Sequence, residues 1–199
     1  MIVVCWSVKG GSGTTVVATS LALLHATRGV HTTLVDTGGD AAACLGMPES
    51  YFPPVASEGC RSTGPHGLEV ARCTRDQLPA VIEQLSDRCL TETVIVDAGV
   101  GELPNSVWSQ TDHSLLVVRS CFLALRRVAH LARKPHGVIL VNEPGRVLRR
   151  PDVEGVAGAP VEAEIEWDPI VARAVDSGVL AGRLPRSLRD GLSGLWWLP

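Results

Sequence analysis

Residues Val8–Val17 read VKGGSGTTVV, between an apolar run, Ile2-Val3-Val4-Cys5-Trp6, and a helix-forming stretch, Val16 to Ala26. Glycines at positions 10, 11 and 13 permit backbone conformations closed to other residues, so the chain can turn sharply from strand into helix there. In such a turn the backbone N–H groups and the positive end of the helix converge on one point, where phosphate binds well. A loop of this kind normally ends Gly-Lys-Ser/Thr, with the lysine reaching the β- and γ-phosphates and the hydroxyl reaching Mg²⁺. Here it ends Gly13-Thr14-Thr15, and a threonine stands where the lysine belongs. The candidate nucleotide-binding set is Lys9, Gly10, Gly11, Ser12, Gly13, Thr14 and Thr15.

Beyond the loop, short apolar runs alternate with longer helix-patterned segments. That alternation is the mark of an α/β fold, a mostly parallel sheet with helices on both faces. About seven strands are expected, at Ile2–Trp6, Thr32–Asp36, Leu68–Arg72, Thr93–Asp97, Ser114–Val118, Val138–Val141 and Val161–Ile165. Helices are expected at 15–27, 76–88, 122–133, 152–156, 169–176 and 186–195. The Pro-, Gly- and Ser-rich stretch Pro48–Gly67, which holds the sole tyrosine, Tyr51, reads as a surface loop, either a partner-binding element or a plain excursion.

The 199 residues suit a single domain, 1–199, able to bury roughly 70% of the surface of its unfolded chain. No apolar run approaches the ~18 residues of a membrane span, and the N-terminus lacks a signal peptide's shape, so a cytoplasmic location is expected. Six dispersed cysteines without a Cys-x-x-Cys pair read as reduced, mostly buried thiols. A net charge of −3 gives DNA binding no support. Of 18 basic residues only Lys9 and Lys134 are lysines, a bias that would convert a loop lysine to arginine, not threonine. That one of the two lies in the loop argues for a role at Lys9; the alternative is a solvated side chain.

With Lys9, Gly10, Gly11 and Thr15 in this spacing, the loop resembles the deviant Walker A motif x-K-G-G-x-x-K-[ST] of the MinD/ParA ATPases. The resemblance extends over about Ile2 to Gly178. TVIVDAGVGE looks like the family's Walker B strand, with Asp97 at the Mg²⁺-facing carboxylate and Gly99 in the γ-phosphate switch. TLVD, ending at Asp36, looks like its second acidic strand. Asp112 before SLLVV, Asn142 after GVILV and the segment IEWDPIVARAVDSG resemble later parts, Asn142 standing at the adenine-reading position. GDAAACLGM after Asp36 is most similar to the CpaE/TadZ pilus-localisation group. The resemblance implies a P-loop NTPase fold, ATP and Mg²⁺ as ligands, with Thr15, Asp36 and Asp97 around the metal, and a homodimer in which Lys9 reaches the partner's phosphates. It also implies a protein partner in a pilus, septum or chromosome-positioning system.

Two departures bear on turnover. Thr14 removes the loop cation, and Asp36-Thr37-Gly38-Gly39-Asp40 lacks the family's usual Asp-x-Asp, whose second carboxylate positions the attacking water. Asp40 reads as the N-cap of a short helix. A charged hydrogen bond to phosphate is worth roughly 1.5–3 kcal/mol, so losing the lysine weakens binding by about one to two powers of ten, and binding can survive. Losing one preorganised donor costs about 10²–10³ in rate, so little or no hydrolysis is expected. Three readings follow: an ATP-gated dimer that signals by binding, a scaffold that no longer binds nucleotide, and a slow ATPase with a replacement cation from Arg126, Arg127 or a partner.

The C-terminal segment 184–199, RLPRSLRDGLSGLWWLP read from Leu184's neighbour Arg183, sets Leu184, Leu188, Leu192 and Leu195 at helical spacing beside arginines. Such a pattern fits either an amphipathic contact with the inner face of a membrane or packing against the sheet. Gly191 and Gly194 weaken an independent helix by about 1 kcal/mol each.

Overall fold

A computed structural model describes residues 1–48, 61–86, 91–195 and 197. Eight strands form one sheet in the order β3-β4-β2-β5-β1-β6-β7-β8. They are β1 (Ile2–Ser7), β2 (Thr32–Asp36), β3 (Arg61–Thr63), β4 (Glu69–Arg72), β5 (Thr93–Val100), β6 (His113–Arg119), β7 (Gly137–Asn142) and β8 (Val161–Glu166). All neighbours pair in parallel except β3 and β4. The helices are α1 (Thr14–Thr27), α2 (Ala41–Cys44), α3 (Leu78–Ser86), α4 (Asn105–Trp108), α5 (Phe122–Val128), α6 (Arg150–Ala157), α7 (Pro169–Asp176) and α8 (Arg186–Leu192).

Strands at the centre of the sheet are buried on both faces, which is why they read as continuous apolar runs. In β1, Val3 and Cys5 face the core beneath α1 and α8, and Ile2, Val4 and Trp6 face the opposite core beside α3 and α5. Asp112, ahead of β6, accepts the amide of Ile2 (2.7 Å) and so fixes the start of β1. Cys5, Cys44 and Cys73 are buried free thiols; Cys60, Cys89 and Tyr51 lie outside the described residues.

Three expectations are corrected. Part of the expected loop is an edge strand: β3 runs antiparallel to β4, pairing Arg61 with Ala71 and Thr63 with Glu69, and residues 65–67 make a 3-10 turn. Three polar residues are too few to show a period of two. Residues 49–60 of that stretch lie outside the described ones. Helix α5 ends at Val128 instead of residue 133, its last turn tightening into i→i+3 bonds, His130 to Arg127 and Leu131 to Val128. Asp40 occupies the N-cap position of α2 but makes no side-chain cap bond; Asp36 takes the amide of Ala41 instead, at 2.9 Å.

The C-terminal segment packs inward. Leu188, Leu192, Leu195 and Trp197 are buried in the core that α1 shares, leaving the leucine side of α8 committed to the protein. Gly191 is what permits this, since a Cβ there would lie 2.6 Å from the Glu164 carbonyl oxygen. Among the described residues, no helix is long and apolar enough to cross a membrane.

Candidate functional site

The glycine-rich loop joins β1 to α1 at the carboxyl edge of the sheet, where parallel sheets place their ligands. Gly11 (φ 75°) and Gly13 (φ 94°) are in the left-handed region, and a Cβ at Gly10, Gly11 or Gly13 would project into open space. The loop is closed from within: Ser12 Oγ donates to the Lys9 carbonyl at 2.7 Å and Ser7 Oγ to the same oxygen at 3.2 Å. Gly13 is the N-cap of α1, without a side chain to cap it and without an acidic residue in the first turn. The first amides of a 14-residue helix therefore face the loop's concavity with their partial positive charge unspent. Thr14 is buried at 7% exposure.

Opposite the loop, Asp36 ends β2 and pairs in register with Asp97, which lies within β5. Both are buried, at 1% exposure, but their surroundings differ. Asp36 Oδ1 accepts the amides of Gly38 and Gly39, each at 2.9 Å, and Oδ2 that of Ala41, so its carboxylate holds the turn into α2. Asp97 Oδ1 accepts the Gly99 amide at 3.1 Å, whereas its buried Oδ2 has no hydrogen-bond donor. Burial pushes the Asp97 carboxyl up to about 6 against the opposing influence of the Thr15 hydroxyl and the Gly99 amide, with Asp36 and Asp40 adding to the rise. A buried carboxylate oxygen lacking a donor, with the Thr15 hydroxyl alongside, is the environment a cation relieves. Mg²⁺ commonly takes one or two carboxylates and completes its shell with water and phosphate, so Thr15 and Asp97 fit it. Among the described residues no group of three His, Cys, Asp or Glu gathers as a self-sufficient metal site.

The end of β5 and the turn beyond it are clamped by a residue the sequence reading missed. Arg75 reaches across from the end of β4, donating through Nη1 to the Ala98 carbonyl and through Nη2 to the Glu102 carbonyl (2.6 Å). Gly99 (φ 64°) and Gly101 (φ 114°) let the chain bend around that guanidinium.

Two cavities flank the loop. One, of about 260 Å³, is lined by Ser12, Gly13, Val16, Arg119, Trp167 and Asp168 among others. Asn142 does not line it: its Nδ2 donates to Glu164 (2.8 Å) and Glu166 (3.1 Å), turning the side chain along β8. The other, of about 270 Å³, gathers Lys9, Leu123, Arg126, Arg127 and His130. There Arg127 Nη1 donates to the Val8 carbonyl at 3.0 Å, tying α5 to the loop. Leu123, in the wall of this cavity, is 58% exposed, and its neighbour Phe122 70%.

The fold that carries this site has counterparts among solved structures. The fold is that of the MinD and ParA ATPases. The chain superposes on the cell division ATPase MinD of Pyrococcus furiosus with a TM-score of 0.75 at 19% identity, covering 98% of this chain and 95% of that one. It superposes on the septum site-determining protein MinD of Pyrococcus horikoshii, complexed with Mg-ADP, with a TM-score of 0.73 at 18% identity, covering 98% and 94%. For a ParA family ATPase of Chlorobium tepidum the values are 0.69, 17%, 96% and 95%. No family model matches the chain, nor does any curated protein by sequence. Identities this low establish the fold, and what the chain does rests on its own residues.

Proposed function

We propose that the chain is a nucleotide-binding positioning protein whose signal is the binding of Mg²⁺–ATP, with little or no hydrolysis, and whose active form is a homodimer. The observation that carries the reading is Asp97: a carboxylate buried to 1% exposure keeps one oxygen without a donor, beside Thr15 and opposite an uncapped helix N-terminus. Leaving such an oxygen unsatisfied costs on the order of 1–3 kcal/mol, a cost that a fold retaining no ligand there has no reason to keep. Weak turnover fits the same site, since Thr14 brings no cation and Asp36 spends its carboxylate on three backbone amides. Lys9, with exposed Phe122 and Leu123 beside its cavity, is suited to meet a second copy across the nucleotide. MinD of Aquifex aeolicus has been solved in complex with MinC, and a protein partner is proposed here too. The similarity of GDAAACLGM to the pilus-localisation group favours an assembly of that kind as cargo.

Calorimetric titration of nucleotide-free protein with Mg²⁺–ATP and Mg²⁺–ADP, alongside light scattering, tests this. ATP-favouring binding with a doubling of mass is expected, with both effects lost in Gly11→Val, whose side chain would enter the cradle from a left-handed position. No binding at millimolar nucleotide would leave the second reading, a scaffold on an ATPase fold, which the burial of Thr14 and the three amides on Asp36 favour.

A further inference from the structure

We propose that Arg119 is the cation that meets a nucleotide's phosphate groups in place of the lysine that Thr14 replaces. The inference rests on the nucleotide-binding reading and assigns it a residue that the loop motif does not contain.

Arg119 ends β6, the strand beside β1, so its side chain starts from the same edge of the sheet as the loop. It lines the 260 Å³ cavity together with Ser12, Gly13 and Val16. Its Nε is buried and has no acceptor, whereas Nη1 donates to Glu143 Oε1 at 2.6 Å. A guanidinium N–H without an acceptor is costly, and because the side chain as a whole is 37% exposed and lines the cavity, a small rotation of its stem would present that N–H to a phosphate oxygen there. The pairing with Glu143 does not spend the charge, because Glu143 also binds Arg146, through Nη2 at 2.5 Å and Nε at 2.7 Å. Two guanidinium groups on one carboxylate leave a net positive charge at the cavity's edge, and the shared carboxylate holds Arg119 in one orientation.

The other candidate cations stand elsewhere. Lys9, Arg126 and Arg127 line the second cavity, and Arg127 is tied to the Val8 carbonyl. Across the first cavity the wall from β8 and α7 is acidic. Glu166 is held by Asn142, and Asp168 accepts Ile170 N (2.8 Å) and Ser187 Oγ (3.0 Å). A polyphosphate is repelled by that wall and drawn to the loop and Arg119, which leaves Trp167, 48% exposed, on the side where the nucleoside lies. A planar guanidinium, unlike an ammonium, can serve two phosphate oxygens from one fixed pose.

The test is calorimetric titration of the full chain with Mg²⁺–ATP, Mg²⁺–ADP and adenosine, using wild type, R119Q, R119K, T14K and the double variant R119Q/T14K, after melting curves establish that each is folded. Arg119→Gln is expected to weaken both nucleotides by about tenfold to a hundredfold and leave adenosine unchanged, with Arg119→Lys between the two. Thr14→Lys, which restores the usual cation, should recover most of the loss in the double variant, something a merely structural arginine would not allow. Equal nucleotide binding by wild type and R119Q, or a loss that extends to adenosine, overturns the role of Arg119 and leaves the nucleotide reading standing. A wild-type chain that binds neither ATP nor ADP overturns both.

Discussion

Asp36 and Asp97 are the same residue type, at the same level of the sheet and equally buried, yet they face opposite demands. Three amides complete the hydrogen bonding of Asp36, whereas Asp97 keeps one oxygen bare and its carboxyl is pushed up to about 6. The ionised form of Asp97 is therefore destabilising at pH 7.5 until a cation arrives. Asp97→Asn is expected to raise the stability of the ligand-free protein at that pH by roughly 2–3 kcal/mol and to remove any response to Mg²⁺. Urea denaturation with and without the metal measures both; a fall in stability would mean that Asp97 is satisfied in some other way. Gly11 and Thr15, which the loop motif fixes by spacing, and Asp97, which the resemblance of its strand points to, could be named as candidates from the sequence. Arg119 and Arg75 could not, because their roles come from neighbours, Glu143 and the Ala98 carbonyl, that only the folded sheet brings near. For Arg119 one signal existed: a cation at the carboxyl end of a strand next to the loop strand stands where parallel sheets hold ligands.

At the level of elements, the central strands were readable because burial on both faces leaves an unbroken apolar run, and β2 and α7 have the bounds expected of them. What escaped was set by contact rather than periodicity. Strand β3 exists because the edge of β4 offers it unpaired backbone groups, and the short helix expected after Asp40 is present as α2 but is held by the carboxylate of Asp36. Replacing Asp36 with Ala is expected to cost about 3 kcal/mol, since three backbone amides, one of them fully buried, lose a charged acceptor together, and equilibrium unfolding in urea would register it. The two glycines of the last segment separate helix propensity from packing. Gly191→Ala would improve intrinsic propensity by about 1 kcal/mol, yet its Cβ meets the Glu164 carbonyl oxygen at 2.6 Å, so a net loss is expected. Gly194→Ala, with nothing within 4 Å of the new carbon, should be neutral or slightly stabilising in the same melting experiment.

Over the whole molecule, two buried groups titrate in opposite senses across one pH interval. His25 on α1 is buried in the core with both ring nitrogens unpartnered, stacked on Trp197 at 6.0 Å. Burial, with lesser contributions from Arg28 and the N-terminus, lowers its pKa from 6.5 to about 4. The unfolded chain then binds a proton that the folded one refuses, so this contribution to stability is present above pH 6.5 and is lost as the pH falls toward 4, by roughly 3 kcal/mol. Asp97 does the reverse. Its folded pKa lies above the unfolded 3.8, so its contribution is full below that value and is lost as the pH rises through about 6, again by roughly 3 kcal/mol. Between pH 6 and 4 the two nearly cancel, and the wild-type curve should be close to flat there. Removing either group unmasks the other: His25→Leu should gain stability on acidification through this interval, and Asp97→Asn should lose it. Urea midpoints at pH 4.5 and 6.5 for the three proteins decide the matter, because parallel shifts in all three would mean that neither group titrates as its surroundings dictate.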